Sequence, residues 1–230
     1  MNTGPVGVLF DVDGTLVDTT YIHAVCWWQA LRQLDHDVAM ARIHRAIGMG
    51  SDRILDHLLG EKRDRAGDET LHTAKKTLYS TYWDRLRPLP GAADLLRACA
   101  GAGLAVVLAS SASGPELEKL RAALDCDDVI TAATSSADAE RSKPSPDILS
   151  AALDQSRLPT TGVVFVGDSV WDVEAAARLE IACIGLTCGG LAAAELRDAG
   201  AVEIYDSPGE LLDRLDDSAA LRPLLARARS

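Results

Sequence analysis

Short apolar runs alternate with longer helical patterns along most of the chain. The apolar runs are rich in β-branched residues and end at small or acidic residues, which is typical of buried strands. The predicted strands are residues 6–10, 104–109, 129–132 and 163–166, followed by two less regular runs at 181–184 and 202–205. Because Ala- and Leu-rich helical patterns separate them, the sequence predicts an α/β fold, a doubly wound, Rossmann-like parallel sheet with helices on both faces.

The alternation stops between residues 18 and 87, where helical patterns dominate and no strand-like run occurs. This stretch begins just after the first strand and its acidic loop. It ends near Pro88-Leu89-Pro90-Gly91, a sequence that favours a rigid turn. We therefore expect two domains, an α/β catalytic core of residues 1–17 and 88–230 and an α-helical cap of residues 18–87 inserted after the first strand.

Composition narrows the classes of partner. The chain is 47% apolar and 25% charged, as is usual for a folded globular protein, and its net charge of −11 disfavours nucleic acid or an anionic membrane as a partner. No uninterrupted apolar window of about 18 residues occurs. The five cysteines are scattered without a C-x-x-C pair, which fits reduced thiols. We expect a cytoplasmic monomer or homodimer that acts on a small molecule.

Polar residues lie just after, or just before, several predicted strands. Ligands of open α/β sheets bind beyond the carboxyl ends of the strands, so these residues should converge. They are Asp11, Asp13, Ser110, Ser111, Lys143, Asp168 and Asp172. Crowded carboxylates repel one another unless a cation lies between them, and oxygen ligands favour Mg²⁺. Lys143, the Ser110 hydroxyl and the loop amides near Gly14 would bind phosphate oxygens. The pattern predicts a magnesium-dependent site for a phosphate dianion.

Four segments, DVDGTLVD, LASS, SKPSPD and VGDSVWD, resemble in this order the four motifs of the haloacid dehalogenase superfamily of aspartate-nucleophile phosphatases. The resemblance covers nearly the whole chain. The helical insertion after the first motif is similar to the small α-helical cap of that family. The phosphoglycolate phosphatase and β-phosphoglucomutase branch is the most similar.

The resemblance implies a role for each motif residue. Asp11 would attack phosphorus to give an aspartyl-phosphate, while Asp13 protonates the leaving oxygen and then activates water. Mg²⁺ would bind the side chains of Asp11 and Asp168 and the backbone carbonyl of Asp13, with Asp172 either a ligand or an orienting residue. Ser110 and Lys143 would assist catalysis. The candidate substrate contacts are Gly14, Thr15, Ser111, His23 and Arg53.

Departures from the family pattern separate its activities. Dehalogenase members carry a non-acidic residue at the position of Asp13, so phosphate chemistry is favoured. The mutase branch commonly carries an acidic pair in the fourth motif, whereas Gly167 precedes Asp168 here. We therefore favour a phosphatase for a sugar phosphate or a phosphoglycolate-type ester. Because His23 and Trp27 resemble the mutase pattern, a β-phosphoglucomutase-like phosphosugar mutase is the alternative.

A non-enzymatic alternative is a catalytically silent domain that binds a phosphorylated ligand, although the intact Asp11 and Asp13 argue against it. Other polar and aromatic residues have simpler interpretations. Ser169 is expected to cap a helix. Tyr79, Tyr82 and Trp83 are spaced to share one helical face as a packing stripe. The expected solvent-exposed helix positions include His44, His57 and His72.

Overall fold

The computed structural model describes residues 4–229; residues 1–3 and 230, which belong to the predicted core domain, lie outside the described residues. Within this range six strands form one parallel sheet in the order β3-β2-β1-β4-β5-β6. The strands are β1 (Gly7–Phe10), β2 (Ala105–Ala109), β3 (Ile130–Thr134), β4 (Val163–Gly167), β5 (Ala182–Leu186) and β6 (Glu203–Tyr205). The predicted doubly wound α/β fold is confirmed, and each predicted strand exists to within a few residues.

Helices cover both faces of the sheet and fill the segment after β1. The first four are α1 (Thr20–Arg32), α2 (Met40–Ala46), α3 (Ser51–Leu59) and α4 (Asp68–Ser80). The later helices are α5 (Ala92–Gly101), α6 (Gly114–Leu124), α7 (Asp147–Ser156), α8 (Val170–Ala177), α9 (Ala193–Ala199), α10 (Pro208–Asp213) and α11 (Arg222–Ala228). None of the helices in residues 4–229 is long and apolar enough to cross a membrane.

The central strand β1 is buried on both faces, which explains its continuous apolar sequence. Successive side chains of a strand point to opposite faces. Val8 and Phe10 accordingly belong to one apolar cluster, with residues of α5, α6, α10 and α11, while Leu9 belongs to another, with residues of α7, α8 and α9. The two clusters fix β1 between two helical layers, and with it the loop that begins at Asp11.

Helices α1 to α4 pack around an apolar cluster of their own, which includes Trp27, Leu31, Ile43 and Leu55. The chain enters and leaves this segment at neighbouring points. The Asp18 N–H donates to the Arg87 carbonyl oxygen at 3.0 Å, and the Leu89 N–H donates to the Leu16 carbonyl oxygen at 2.8 Å. These crossings coincide with the boundaries expected from the sequence. The division into two domains remains a prediction.

Tyr79, Tyr82 and Trp83 pack against the main apolar cluster, as expected, but the expectation that they share one helical face is wrong. Helix α4 ends at Ser80, Tyr82 lies in the turn that follows, and Trp83 begins a short 3-10 helix, Trp83–Arg85. The hydroxyls of Ser80 and Thr81 donate to carbonyl oxygens three residues earlier, at 2.8 and 2.7 Å. Such side-chain bonds compete with the backbone ladder and help to end a helix.

Candidate active site

The candidate site lies at the carboxyl edge of the sheet, around β1. β1 pairs with β2 on one side and with β4 on the other, and the chain runs outward from β1 through β2 to β3 before it returns to β4, so the strand order reverses at β1. Such switch points form crevices in open α/β sheets. Asp11 follows β1, Ser110 follows β2 and Asp168 follows β4. The parallel register therefore brings the three predicted motifs to one edge.

Three buried carboxylates form what we call the carboxylate cluster: Asp11, Asp168 and Asp172. One oxygen from each lies within 4.8 Å of the others. The Lys143 Nζ atom is 2.5 Å from Asp11 Oδ1 and 2.7 Å from Asp172 Oδ1. One ammonium does not balance three carboxylates, so the cluster retains a surplus of negative charge. Such a surplus in an all-oxygen donor set suits a hard divalent cation.

Burial and mutual repulsion perturb these groups. Burial raises the pKa of Asp11 to about 7, against the lowering effect of Lys143. Burial, together with the charges of Asp172 and Asp11, raises the pKa of Asp168 well above its usual range. Burial alone would lower the pKa of Lys143, but the two neighbouring carboxylates raise it. Lys143 is therefore a fixed positive charge, while the cluster holds more negative charge than its surroundings stabilise.

Close backbone packing fixes Asp168. The Thr15 hydroxyl donates to Asp168 Oδ1 at 2.9 Å. Gly14 has a φ of +80°, and a Cβ atom there would lie 2.5 Å from Asp168 Oδ2. A Cβ atom at Gly189 would lie 1.7 Å from the same oxygen. Two glycines therefore let the backbone approach this carboxylate as closely as it does.

Asp172 is held by a capping box at the start of α8. Ser169 is the N-cap residue, as expected, and its backbone N–H and hydroxyl donate to Asp172 Oδ2 at 3.0 and 2.6 Å. The other oxygen, Oδ1, faces Lys143. Helix capping and the orientation of Lys143 therefore depend on one carboxylate.

Asp13 lies in a different environment from the carboxylate cluster. Its Oδ1 atom accepts a hydrogen bond from the Thr19 hydroxyl at 2.7 Å and lies 3.0 Å from His23 Nε2. Burial alone would raise the pKa of Asp13, but the contacts with His23 and Thr19 outweigh it and lower the pKa. The His23 ring stacks on Tyr79, with 4.1 Å between the ring centroids. Asp13 is thus ionised and oriented at the edge of the cluster.

The site opens into a pocket of about 300 Å³. This volume is at the small end of ligand-binding cavities. Core loops and the helical segment both contribute to its wall. The residues that line this pocket include Asp11, Asp13, His23, Trp27, His72, Lys75, Lys76, Tyr79, Trp83, Ser111, Glu116 and Lys143.

The other predicted contacts are placed as follows. Ser111 lines the pocket, and its hydroxyl has no hydrogen-bond partner among the described residues. Ser110 is fully buried beside it, and its Oγ atom accepts a hydrogen bond from the Ala112 N–H at 3.0 Å. Thr15 is buried against Asp168. Arg53 lies outside the pocket lining and is exposed, because the apolar face of α3 turns its neighbours Ile54 and Leu55 inward.

The expected exposure of His44 and His72 is wrong. His44 is half-buried, with Nε2 2.9 Å from the Gly189 carbonyl oxygen. His72 is half-buried, lines the pocket and meets the Trp27 ring edge-on. His57 is exposed, as expected, although its ring also contacts the edge of Trp171.

Four pocket or near-pocket residues lacked a specific prediction: Thr19, Lys75, Lys76 and Glu116. For α4 a signal was present. His72, Lys75, Lys76 and Tyr79 are spaced i, i+3, i+4 and i+7, which places them on one helical face. A face that carries basic residues beside aromatic ones differs from the apolar face that packing alone requires. The contribution of Glu116, which comes from α6, has no comparable signal.

Several known proteins are similar to this chain over most of its length. A family model described as haloacid dehalogenase-like hydrolase matches residues 6–180. The chain is 29% identical over 206 residues to phosphoglycolate phosphatase of Escherichia coli K12, with 80% of this chain and 81% of that protein covered. It is also 29% identical over 211 residues to Protein SUPPRESSOR OF QUENCHING 1, chloroplastic, of Arabidopsis thaliana, which covers 89% of this chain. The chain spans 20% of that protein's length.

Solved structures show the same similarity. A hydrolase from Pseudomonas syringae superimposes with a TM-score of 0.88 and 32% identity, covering 93% of this chain and 99% of that one. A CbbY variant from Rhodobacter sphaeroides, solved with xylulose-1,5-bisphosphate, gives a TM-score of 0.73 and 25% identity, covering 90% and 96%. β-Phosphoglucomutase from Clostridium difficile shares the fold, with a TM-score of 0.81 at 17% identity and coverage of 96% and 99%.

These matches confirm both the resemblance inferred from the four motifs and the prediction of a hydrolytic enzyme. The family match spans the carboxylate cluster, Asp13 and Lys143. The chain belongs to the haloacid dehalogenase-like hydrolase family.

Proposed function

We propose that this enzyme is a magnesium-dependent phosphatase that hydrolyses a small phosphorylated metabolite through an aspartyl-phosphate on Asp11. The observation that carries the proposal is that Asp11, its neighbour Lys143 and Asp13 line one pocket, while Asp11 also belongs to the buried carboxylate cluster. A carboxylate beside a fixed positive charge can act as a nucleophile, and a second carboxylate in the same pocket can exchange a proton. The similarity to a phosphoglycolate phosphatase and to a bisphosphate-bound CbbY variant supports a phosphate ester of sugar-phosphate or phosphoglycolate type.

The carboxylate cluster fits Mg²⁺ by its donor set, because its ligand atoms are oxygens and its negative charge exceeds that of Lys143. The side chains of Asp11 and Asp168 and the backbone carbonyl of Asp13 would hold the ion. Asp172, which is paired with Lys143, would orient that lysine. When bound, Mg²⁺ would supply charge neutralisation and polarisation of a phosphate oxygen.

In the first step, a carboxylate oxygen of Asp11 attacks phosphorus as the bond from phosphorus to the leaving oxygen breaks. The leaving oxygen takes the proton carried by Asp13, so an alcohol departs and the phosphoryl group stays on Asp11. Lys143 lies against Asp11 and offsets negative charge on the phosphoryl oxygens. Approach of a phosphate dianion raises the pKa of Asp13, because a nearby like charge disfavours the ionised carboxyl.

In the second step, Asp13 accepts a proton from water as the water oxygen attacks phosphorus. The bond between Asp11 and phosphorus breaks, and inorganic phosphate leaves. Contacts with Thr19 and His23 hold Asp13 in its ionised form, which is the form a general base needs.

Residues 18–87 are proposed to act as a cap over this chemistry. Helix α4 supplies one wall of the pocket, while loops after β1 and β2 supply the other. The neighbouring chain crossings at Asp18–Arg87 and Leu16–Leu89 would serve as the hinge. Closure of such a cap would exclude bulk water while the aspartyl-phosphate exists.

A phosphosugar mutase is the second candidate. His23, part of the pattern that resembles the mutases, lies 3.0 Å from Asp13. A mutase would return the phosphoryl group from Asp11 to a second hydroxyl of a sugar phosphate instead of to water.

A panel of phosphate esters, assayed with and without Mg²⁺, tests the proposal. The panel includes p-nitrophenyl phosphate, phosphoglycolate, several sugar phosphates, and β-glucose 1-phosphate with a bisphosphate primer. Release of inorganic phosphate that needs Mg²⁺ supports the phosphatase. Isomerisation of β-glucose 1-phosphate to glucose 6-phosphate without net phosphate release supports the mutase. Ligand binding by calorimetry without turnover of any ester would indicate a silent binding domain.

A further inference from the structure

Four buried polar atoms around the pocket have no hydrogen-bond partner among the described residues. They are the hydroxyl oxygens of Tyr79 and Ser111, the indole nitrogen of Trp83 and Nδ1 of His72. Buried polar groups are nearly always paired, since an unpaired one costs free energy. Unpaired groups that share a pocket wall indicate that a bound molecule pairs with them.

Three of these four atoms belong to α4 or to the turn after it, elements that carry no member of the carboxylate cluster. Tyr79 is 1% exposed, so its hydroxyl has little access to solvent. Ser111, by contrast, follows β2 beside the predicted phosphate contacts. The pocket therefore has two polar regions, one at the strand ends and one on α4.

Lys75 adds a positive charge to the α4 region. Its Nζ atom lies 4.9 Å from the centre of the Tyr79 ring, and its side chain is 16% exposed. Within residues 4–229 the carboxylate that forms an ion pair with it is that of Glu116, at 4.0 Å, and the charge of Lys75 also acts on Asp13. This distance is too long for a hydrogen bond, so the ammonium group keeps donors for a ligand.

We propose that Lys75, Tyr79 and Trp83, with His72 beside them, form a subsite for a second acidic group on the alcohol part of the substrate. We call these four residues the α4 subsite. The second acidic group is a carboxylate or a further phosphate, which share the chemistry of an oxyanion that accepts hydrogen bonds from cations, hydroxyls and N–H groups. The inference rests on the proposed function, because it assigns the far end of the ester whose phosphate Asp11 attacks.

Glu116 limits how this acidic group is held. One of its oxygens lies 3.9 Å from His23 and 4.0 Å from Lys75, so it stands between the residue that contacts Asp13 and the subsite. A substrate anion would be repelled from Glu116 and drawn to the α4 side of Lys75. The opposite arrangement, in which Glu116 binds a cationic substrate group, makes a different prediction for amines.

Four esters that share a two-carbon skeleton separate these arrangements: ethyl phosphate, phosphoglycolate, ethane-1,2-diol bisphosphate and phosphoethanolamine. The wild type is compared with Lys75→Met, with the conservative variant Lys75→Arg, and with Lys119→Met. Lys119 is an exposed residue of α6 outside the pocket lining, so it controls for the loss of one positive charge. kcat and KM are measured separately for each ester.

We expect the wild type to favour phosphoglycolate, the bisphosphate or both over ethyl phosphate by roughly 10-fold or more in kcat/KM, as a charge-assisted hydrogen bond to the second acidic group would produce. Lys75→Met should reduce that ratio towards one, chiefly through KM, Lys75→Arg should retain most of it, and Lys119→Met should leave it unchanged. Whether phosphoglycolate or the bisphosphate shows the larger loss identifies the carboxylate or the phosphate as the group bound.

Two results would overturn the subsite. One is an equal loss for all four esters in Lys75→Met, which would leave the ratio unchanged. The other is a preference for phosphoethanolamine, which would assign recognition to Glu116. Failure of the wild type to release phosphate from these four esters and from every ester of the panel above would instead refute the proposed function, so the two failures are distinguishable.

Discussion

The ammonium nitrogen of Lys143 lies 2.7 Å from Asp172, and both side chains are enclosed almost completely by protein. The second oxygen of Asp172 is occupied by the backbone and hydroxyl of Ser169. Both oxygens of Asp172 therefore have neighbours that fix them, which favours an orienting role for this residue. The proposal therefore assigns the cation to the side chains of Asp11 and Asp168, each of which has one contacted oxygen and one further oxygen.

Asp13→Asn should separate the two steps of the reaction. The amide cannot exchange the required proton, and positioned acid–base groups contribute roughly 100- to 10,000-fold, so we expect kcat to fall within that range. Asp11 should still be phosphorylated by esters with good leaving groups. Steady-state phosphate release and intact-mass detection of the phosphorylated chain measure the two effects.

The exposed residue Asp128, changed to Asn, serves as the control and should behave as the wild type. Full activity in Asp13→Asn would remove Asp13 from proton transfer.

Mg²⁺ binding should be visible in stability as well as in activity. An ion that binds only the folded chain, and whose free concentration is 100 times its Kd, raises the free energy of unfolding by about 2.7 kcal/mol. We expect urea denaturation of the wild type to show this increase, and Asp168→Asn to lose most of it, because one cluster oxygen is replaced by an amide.

The exposed helical residue Asp154, changed to Asn, should retain the full Mg²⁺ effect. An undiminished Mg²⁺ effect in Asp168→Asn would place the ion elsewhere.

Sequence patterns predict the parts of this site that depend on single strands better than the parts that depend on packing between distant segments. Asp11, Ser110 and Asp168 each follow an apolar run, and parallel strands bring such positions to one edge, so the strand ends predict that these three residues converge. The pocket wall formed by α4 depends on how helices pack against loops distant in sequence. Glu116, whose position there requires the tertiary fold, could not be found by local reasoning.

Helix ends show the same limit. The aromatic spacing at Tyr79, Tyr82 and Trp83 suggests a continuing helix, but local bonds from Ser80 and Thr81 end it. The turn then brings Trp83 to the pocket wall. A periodic pattern predicts an element well and predicts its last turn poorly.

Gly189→Ala tests the close packing around Asp168 without altering a charge. The added methyl group would overlap Asp168, whose Oδ2 atom is 1.7 Å from the ideal Cβ position. The carboxylate must therefore shift, and we expect kcat/KM to fall at least roughly 10-fold, since small displacements of catalytic groups are costly, together with weaker activation by Mg²⁺.

Gly101→Ala, at a helical position where a Cβ atom meets nothing within 4 Å, is the matched control and should keep wild-type kinetics. Equal behaviour of the two variants would contradict the packing argument.

Glu203 provides a pH-dependent contribution to stability far from the active site. Burial alone would raise its pKa, but hydrogen bonds from Ser218 and Tyr205 at 2.7 and 2.8 Å, and from the Ala220 N–H at 2.9 Å, lower it. A lowered folded-state pKa stabilises the fold above the unfolded value and loses this effect as pH falls. Glu203→Gln should therefore lower the free energy of unfolding by about 1–3 kcal/mol at pH 7.

The difference between wild type and Glu203→Gln should be complete above about pH 5, since an ordinary glutamate has a pKa near 4.3, and should shrink as pH falls through the lowered pKa of Glu203. Denaturation at several pH values measures it. Glu118→Gln, at an exposed position of α6, should cost less than about 0.5 kcal/mol throughout. A difference for Glu203→Gln that grows towards acid pH would contradict the lowered pKa of Glu203 in the folded state.

The nucleophilic role of Asp11 is tested most directly by a comparison of wild type and Asp11→Asn. Both are assayed on the best ester of the panel, with and without Mg²⁺. We predict that the wild type releases phosphate only with Mg²⁺ and that Asp11→Asn is inactive under both conditions, although its fold and its secondary structure by circular dichroism are retained. Phosphate release by Asp11→Asn at a rate near that of the wild type would show that Asp11 is not the nucleophile.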